Sequence, residues 1–166
     1  MPVREIVHVP HPALRKKAEI VTDFGPDLQI MIDDLITTLH AYSGAGLAAP
    51  QINQSKQVIL VEYGSDEDEE IPPTLYVAVN PKITRFSRET AVGAEGCLSI
   101  PGLMGEVERA QEIIVEAQDR QGEVVKLRLN GWTARIFQHE IDHLNGVLFT
   151  DHTTVVWETD EEYNPV

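Results

Sequence analysis

The chain has 166 residues, 42% of them apolar and 24% charged, the proportions of one folded domain rather than of a disordered, collagen-like or membrane-spanning chain. Its 13 Lys and Arg stand against 27 Asp and Glu, a formal charge of −14 that repels phosphate backbones and anionic lipid and argues against DNA or a membrane as partner. The single cysteine, Cys97, cannot close an intrachain disulfide, and the N-terminal stretch has no apolar segment of signal-peptide length; the expectation is a cytoplasmic protein.

From Pro26 to Tyr42 the residues Leu28, Met31, Ile32, Leu35, Ile36 and Leu39 recur at three and four, which predicts an amphipathic N-terminal helix. Ser43 and Gly44 end it, with the glycine expected as a left-handed cap. The stretch Gly44-Ala45-Gly46-Leu47-Ala48-Ala49-Pro50-Gln51 follows, almost without side-chain bulk. Strand-type runs come next at Gln57 to Tyr63, Leu75 to Asn80, Glu112 to Asp119 and Glu123 to Leu129, the last two joined by an Asp119-Arg120-Gln121-Gly122 hairpin, so antiparallel pairing is expected. An acidic loop at about 64–73, holding Asp66 to Glu70 and Pro72-Pro73, reads as a solvated hairpin connection inside one domain spanning 1–166. Asn130-Gly131 starts a second helix that runs to Leu144 and stops at Asn145-Gly146; apolar residues on all its sides predict burial. The acidic tail at about 158–166 is expected to fray.

Chemistry concentrates in this second helix. His139-Glu140-Ile141-Asp142-His143 is an H-E-x-x-H sequence, and the four-residue spacing puts both imidazoles on one helix face, able to share a metal ion. Glu140 projects nearby, and a carboxylate there can take a proton from a water whose pKa the metal lowers from ~15.7 to about 7. Two buried histidines with ordinary hydrogen bonds would give the same pattern. Catalytic sites usually add a third protein donor. A metzincin would need a histidine where Phe149 stands, and the glutamates of the tail carry no helical stripe to hold one rigidly. Cys97, in Ala94-Glu95-Gly96-Cys97-Leu98-Ser99, is the better candidate, since a thiolate binds zinc or iron strongly, although a buried free cysteine is an ordinary core residue. Gln51 could donate to an oxyanion or be an exposed loop amide. His152 is the spare histidine that a four-ligand structural zinc site would call on.

Taken together and in order, Gly44 to Gln51, Glu95-Gly96-Cys97-Leu98-Ser99 and His139 to His143 resemble the three motifs of the peptide deformylase family, over about Val3 to His152. The resemblance implies an α+β fold with antiparallel β-sheets around a central buried helix carrying the histidines. It implies hydrolysis of the N-formyl group from the N-terminal formylmethionine of newly made polypeptides, with one divalent metal per chain, ferrous in the cell and replaceable by zinc, nickel or cobalt. Position by position it makes Cys97, His139 and His143 metal ligands, Glu140 the general acid and base, and Gln51 with the Leu98 backbone N–H the oxyanion donors.

Around that centre, Trp132 and Ile136 are expected to face an apolar slot for the methionine side chain, though core packing would also place apolar residues there, and Ala45, Gly46 and Gly96 let the substrate approach. Glu95, Asp142 and Arg109 are expected either to orient the ligand imidazoles or to form a structural ion pair. Ala45 is smaller than the aliphatic usual in the family, which leaves that side of the cleft roomier. An acidic tail in place of a long basic C-terminal helix means that any transient ribosome contact uses another surface. A monomer is expected. The alternatives are a small zinc endopeptidase using H-E-x-x-H alone and a non-catalytic metal-binding module.

Overall fold

A computed structural model describes residues 2–159. Helix α1 (Pro26–Ala41) is followed by β1 (Gly46–Ala48), β2 (Val58–Tyr63), β3 (Thr74–Phe86), β4 (Thr90–Cys97), β5 (Ile100–Ala110), β6 (Glu112–Gln118) and β7 (Val124–Asn130), then α2 (Gly131–Leu144) and β8 (Val156–Glu158). The strands form two antiparallel sheets, ordered β1-β2-β3-β6-β7 and β4-β5-β8. The fold is α+β.

The larger sheet lies between the two helices, and the side-chain alternation of its strands says why. On β2, Ile59 and Val61 join Ala134, Ile136, Phe137, Ile141 and Leu144 of α2 in one apolar cluster, while Val58 and Leu60 join Leu28, Met31, Ile32, Leu35 and Leu39 of α1 in another. A strand covered on both faces is a continuous apolar run, as Val58-Ile59-Leu60-Val61 is. A third cluster, Leu14, Cys97, Ile100, Val107, Leu148 and Phe149, belongs to the smaller sheet. Helix α2 packs on β1, β2, β6 and β7 of one sheet and on β5 of the other. β7 is an outer strand: Val124, Lys126 and Arg128 face solvent, and Val125, Leu127 and Leu129 turn inward.

Both hairpins expected from sequence form, with Tyr63 opposite Thr74 across the acidic loop and Gln118 opposite Val124 across the turn. Two corrections concern chain ends. The left-handed residue closing α1 is Ser43 (φ 54°), not Gly44, because Tyr42 already caps the helix and places the reversal one residue earlier. Gly44 sits instead at a close approach: a Cβ there would stand 3.0 Å from Leu98 Cδ1 and 3.2 Å from Leu39 Cδ1. The tail does not fray from its first residue, since Glu158 pairs with Leu103 in β8; from 160 onward that expectation lies outside the described residues. The β4-β5 hairpin was not expected as strand, because Ala91-Val92-Gly93-Ala94-Glu95-Gly96 lacks the bulky alternation that marks one. Among the described residues no helix is long and apolar enough to cross a membrane.

Candidate active site

Three segments far apart in sequence meet where the two sheets approach α2. β4 delivers Cys97 at its last residue, the turn 98–99 carries Leu98 and Ser99, and β1 runs into a short helical turn, Ala49–Ile52, that delivers Gln51. The N-terminal segment ties two of them together: the Val7 N–H donates to Gln51 O at 2.8 Å and the Val9 N–H to Ser99 O at 3.0 Å. Cys97, His139 and His143 are all buried, and a candidate ligand atom on each lies within 4.8 Å of the others. His143 Nε2 stands 3.4 Å from Cys97 Sγ. The two imidazoles meet edge to face with centroids 5.1 Å apart, and Phe149 stacks on His139.

The donor chemistry fits one divalent cation. His139 Nδ1 is engaged by Glu95 Oε1 at 2.9 Å, which turns Nε2 toward the cysteine. That Nε2 is buried with no hydrogen-bond partner, as are both oxygens of Glu140 and Nδ1 of His143. Buried polar atoms are rarely left so, and a thiolate with two imidazole nitrogens is the set a borderline-soft metal takes. Burial opposes a charge on His139, yet Cys97, Glu140 and Glu95 outweigh it and push that imidazole up to about 10, a site that invites a positive charge. Burial, with His139 and the cations Arg109 and Arg15, holds His143 well below its usual range, as a neutral donor.

Glu140 is fully buried, and burial pushes its carboxyl up to about 7 even though His139 pulls the other way. Its place explains the small residues of the first motif. A methyl group on Gly46 would run into Glu140 Oε2 and would stand 2.8 Å from Ile136 Cγ2, so glycine there leaves the carboxylate its room. Gln51, 1% exposed, is not a loop amide. Its Oε1 accepts the Ala48 N–H at 2.9 Å, and Nε2 donates to Ser99 Oγ at 3.1 Å and approaches Cys97 Sγ at 3.6 Å. An amide nitrogen has two hydrogens; one is given to Ser99 and the other is directed at Cys97 Sγ.

The outer residues resolve into named roles. Glu95 holds His139 and is itself held by Arg109, whose Nε and guanidinium nitrogen donate at 3.0 and 2.9 Å. Burial would raise the Glu95 carboxyl, but the bonds from His139 and Arg109 outweigh it and keep it well below the usual carboxylate range. Asp142 bonds to neither His139 nor His143: it accepts from Arg109 at 2.6 Å and meets His152 Nε2 at 2.8 Å, and His152 is engaged there rather than at the Cys97-His139-His143 cluster. Sequence reasoning missed Arg135, which is buried and donates to Glu95 Oε2 at 2.6 Å and to the carbonyls of Val107 and Ala91. It also missed Ser99. The signal for Arg135 is its position, one turn before His139 on the same side of α2.

Of the substrate candidates, Ala45 and Trp132 are half-buried beside the α2 apolar cluster. Ile136 has no exposed surface and packs behind Gly46 and Glu140. Gly96 is buried in β4 opposite Met104.

A family model described as polypeptide deformylase matches residues 3–156. A peptide deformylase of Desulforudis audaxviator (strain MP104C) is 42% identical over 161 residues, covering 97% of this chain and 100% of its own length. Peptide deformylase 1 of Bacillus anthracis is 45% identical over 161 residues, covering 97% and 99%. The crystal structure of a class I type b peptide deformylase from Acinetobacter baumannii, with Met-Ala-Ser bound, superposes with a TM-score of 0.85 at 37% identity, covering 92% of this chain and 99% of that one. Neither the endopeptidase nor the non-catalytic alternative finds support in these matches.

Proposed function

The chain belongs to the peptide deformylase family, a metal-dependent hydrolase that takes the N-formyl group from N-terminal formylmethionine, and from that premise we propose how its own residues divide the work. Cys97, His139 and His143 would hold the divalent cation, ferrous iron in the cell, with zinc, nickel or cobalt able to replace it. When bound, that cation supplies acidified water and polarises the formyl carbonyl.

Glu140 takes the proton of the attacking water on a carboxylate oxygen and returns it to the departing amine nitrogen, so that formate and a free methionine amine leave. A buried carboxyl raised to about 7 suits both halves of that transfer at neutral pH. The Gln51 amide N–H on the Cys97 side and the backbone N–H of Leu98 meet the formyl oxygen as its charge grows; each such donor is worth on the order of 100-fold in turnover. Glu95, steadied by Arg109 and Arg135, fixes the tautomer and tilt of His139. Ala45, Gly46, Gly96 and Trp132 line the approach of the formylmethionyl end, with Ile136 as packing behind it.

The protein works as a single cytoplasmic domain and a monomer on nascent peptides, and any ribosome contact is transient. The observation that carries the reading is the buried cluster of one thiol and two imidazoles beside a carboxylate without hydrogen-bond partners. The test is formate release from a formyl-methionyl tripeptide under anaerobic conditions, with metal measured in the same sample. Formate release with about one metal per chain is expected; full metal loading without formate overturns the assignment.

A further inference from the structure

The acidic loop between β2 and β3 is not merely solvated. Its Asp66 crosses to the start of α2, where Oδ2 accepts the backbone N–H of Trp132 at 3.1 Å. Asn130, the residue at the cap of that helix, makes no side-chain capping bond, so the first turn takes this acceptor from a segment 66 residues away. The approach is close enough to exclude a side chain: a Cβ on Gly131, which has φ +58°, would run into Asp66 Oδ2. The Asp66 carboxylate also meets the Tyr63 hydroxyl, and burial together with that bond raises the Tyr63 phenol above its usual range. Serine and aspartate side chains brace the loop backbone, Ser65 Oγ accepting from Glu67 and Asp68 and Asp68 Oδ1 from Glu70.

The other end of Trp132 is fixed from inside the site. The Arg135 guanidinium lies over the indole, 5.3 Å from the ring centroid, and is anchored to Glu95 and to two carbonyls. Trp132 is thus clamped at its backbone by Asp66 and at its ring by Arg135, a cation–π contact that resists tilting. Arg135 also serves the metal side of α2, so the Asp66 contact is the independent one. An amphipathic ring held by a loop is the kind of wall whose displacement alters the width of a neighbouring apolar slot.

We propose that Asp66 is a positioning residue for the substrate side chain: by fixing Trp132 at the start of α2, the acidic loop sets the width of the methionine slot. The proposal rests on the deformylase reading and deepens it from chemistry to side-chain selection.

The test compares Asp66→Ala, Asp66→Asn and Glu69→Ala on two probes, formyl-Met-Ala-Ser and formyl-Ala-Ala-Ser, with metal content measured throughout. Asp66→Ala is expected to raise KM for the methionyl probe about three- to tenfold, the range of a lost helix-start acceptor, with kcat and metal content unchanged and little effect on the alanyl probe. Asp66→Asn, which keeps an acceptor oxygen, restores most of the difference, and Glu69→Ala, which removes the same charge without the contact, changes nothing. A second readout uses a Trp157→Phe background, where Trp132 is the remaining indole: Asp66→Ala shifts its emission and its acrylamide quenching. Should Asp66→Ala fail to fold, Tyr63→Phe, which removes the other bond on the carboxylate, is expected to move the same KM ratio in the same direction. Equal KM changes on both probes, an effect of Glu69→Ala as large as that of Asp66→Ala, or a fall in kcat and metal content at constant KM overturns the proposal. Absence of formate release by the metal-loaded wild type instead overturns the deformylase reading.

Discussion

The two helices flank the same sheet and each buries the face turned to it, but by opposite means. α1 buries an apolar stripe, Leu28, Met31, Ile32, Leu35 and Leu39, with Asp34 and Thr38 as buried polar residues tied to Arg4. α2 buries ten residues, and five of them, Arg135, Gln138, His139, Glu140 and His143, are polar or charged. α1 is held by area removed from water; α2 is held on one side that way and on the other by partners that arrive from β4, β5 and the loops. The first kind of burial spends its energy on stability, while the second buys geometry, and changes in the two should therefore read out differently.

The largest effect is expected at the reactive side of α2. Glu140→Gln should lower kcat by about 10²- to 10⁴-fold, the worth of a positioned acid–base group, while one metal per chain is retained; unchanged turnover would remove Glu140 from the reaction. Next comes the wall behind it. Arg135→Met leaves Glu95 buried with one cation fewer, and removing one partner from such a buried network costs about 3–5 kcal/mol, with metal affinity weakened some 10- to 100-fold; denaturation midpoints and metal titration check both numbers. On the other helix, Leu35→Ala should cost about 2–5 kcal/mol while kcat/KM of the folded protein and its metal content stay as they were. If Leu35→Ala altered turnover as much as stability, the division between the helices would fail.

The pH dependence sharpens the same contrast. The folded-state carboxyl of Glu140 is raised from 4.5 to about 7, so the fold disfavours its ionised form. In metal-stripped protein this penalty is absent below about pH 4.5, builds as pH rises from there, and is complete above about 7. Glu140→Gln, which mimics the neutral acid, should then match the wild type in acid and exceed it in stability above neutrality by on the order of 2–3 kcal/mol. Urea midpoints of the two proteins at pH 4.5 and 8 give the sign. The smallest effect belongs to the outer face of α1, where Arg120 meets Asp33 at 2.8 Å with both side chains partly exposed. Asp33→Ala, which removes this pair and leaves the Arg120 bonds to Gln29, should cost no more than about 1 kcal/mol and fade with added salt.

The same contrast governs what the sequence discloses. α1 is legible because its burial is written as spacing, and the helix appears within a residue of where the stripe puts it. The cluster of Cys97, His139 and His143 is legible because H-E-x-x-H is local and Cys97 sits among small residues. Arg135 is not, because a charged residue on a helix reads as a solvated face, and its carboxylate partner lies 40 positions away on β4. Gln51 and Ser99 appear as a pair only after two loops fold together. Asp66 is hidden more thoroughly, inside a run of five acids whose composition describes exposure and says nothing of the member that reaches across to the Trp132 N–H.

The outermost strand of the larger sheet, β7, has a consequence for the crowded cell. An open edge offers unpaired amides on which a second chain could grow a ribbon, the seed of fibrils. Lys126 and Arg128 stand on that border at alternate positions, and an intruding copy would have to strip water from both and meet its own like charges. Two cations on that border raise the cost of such pairing.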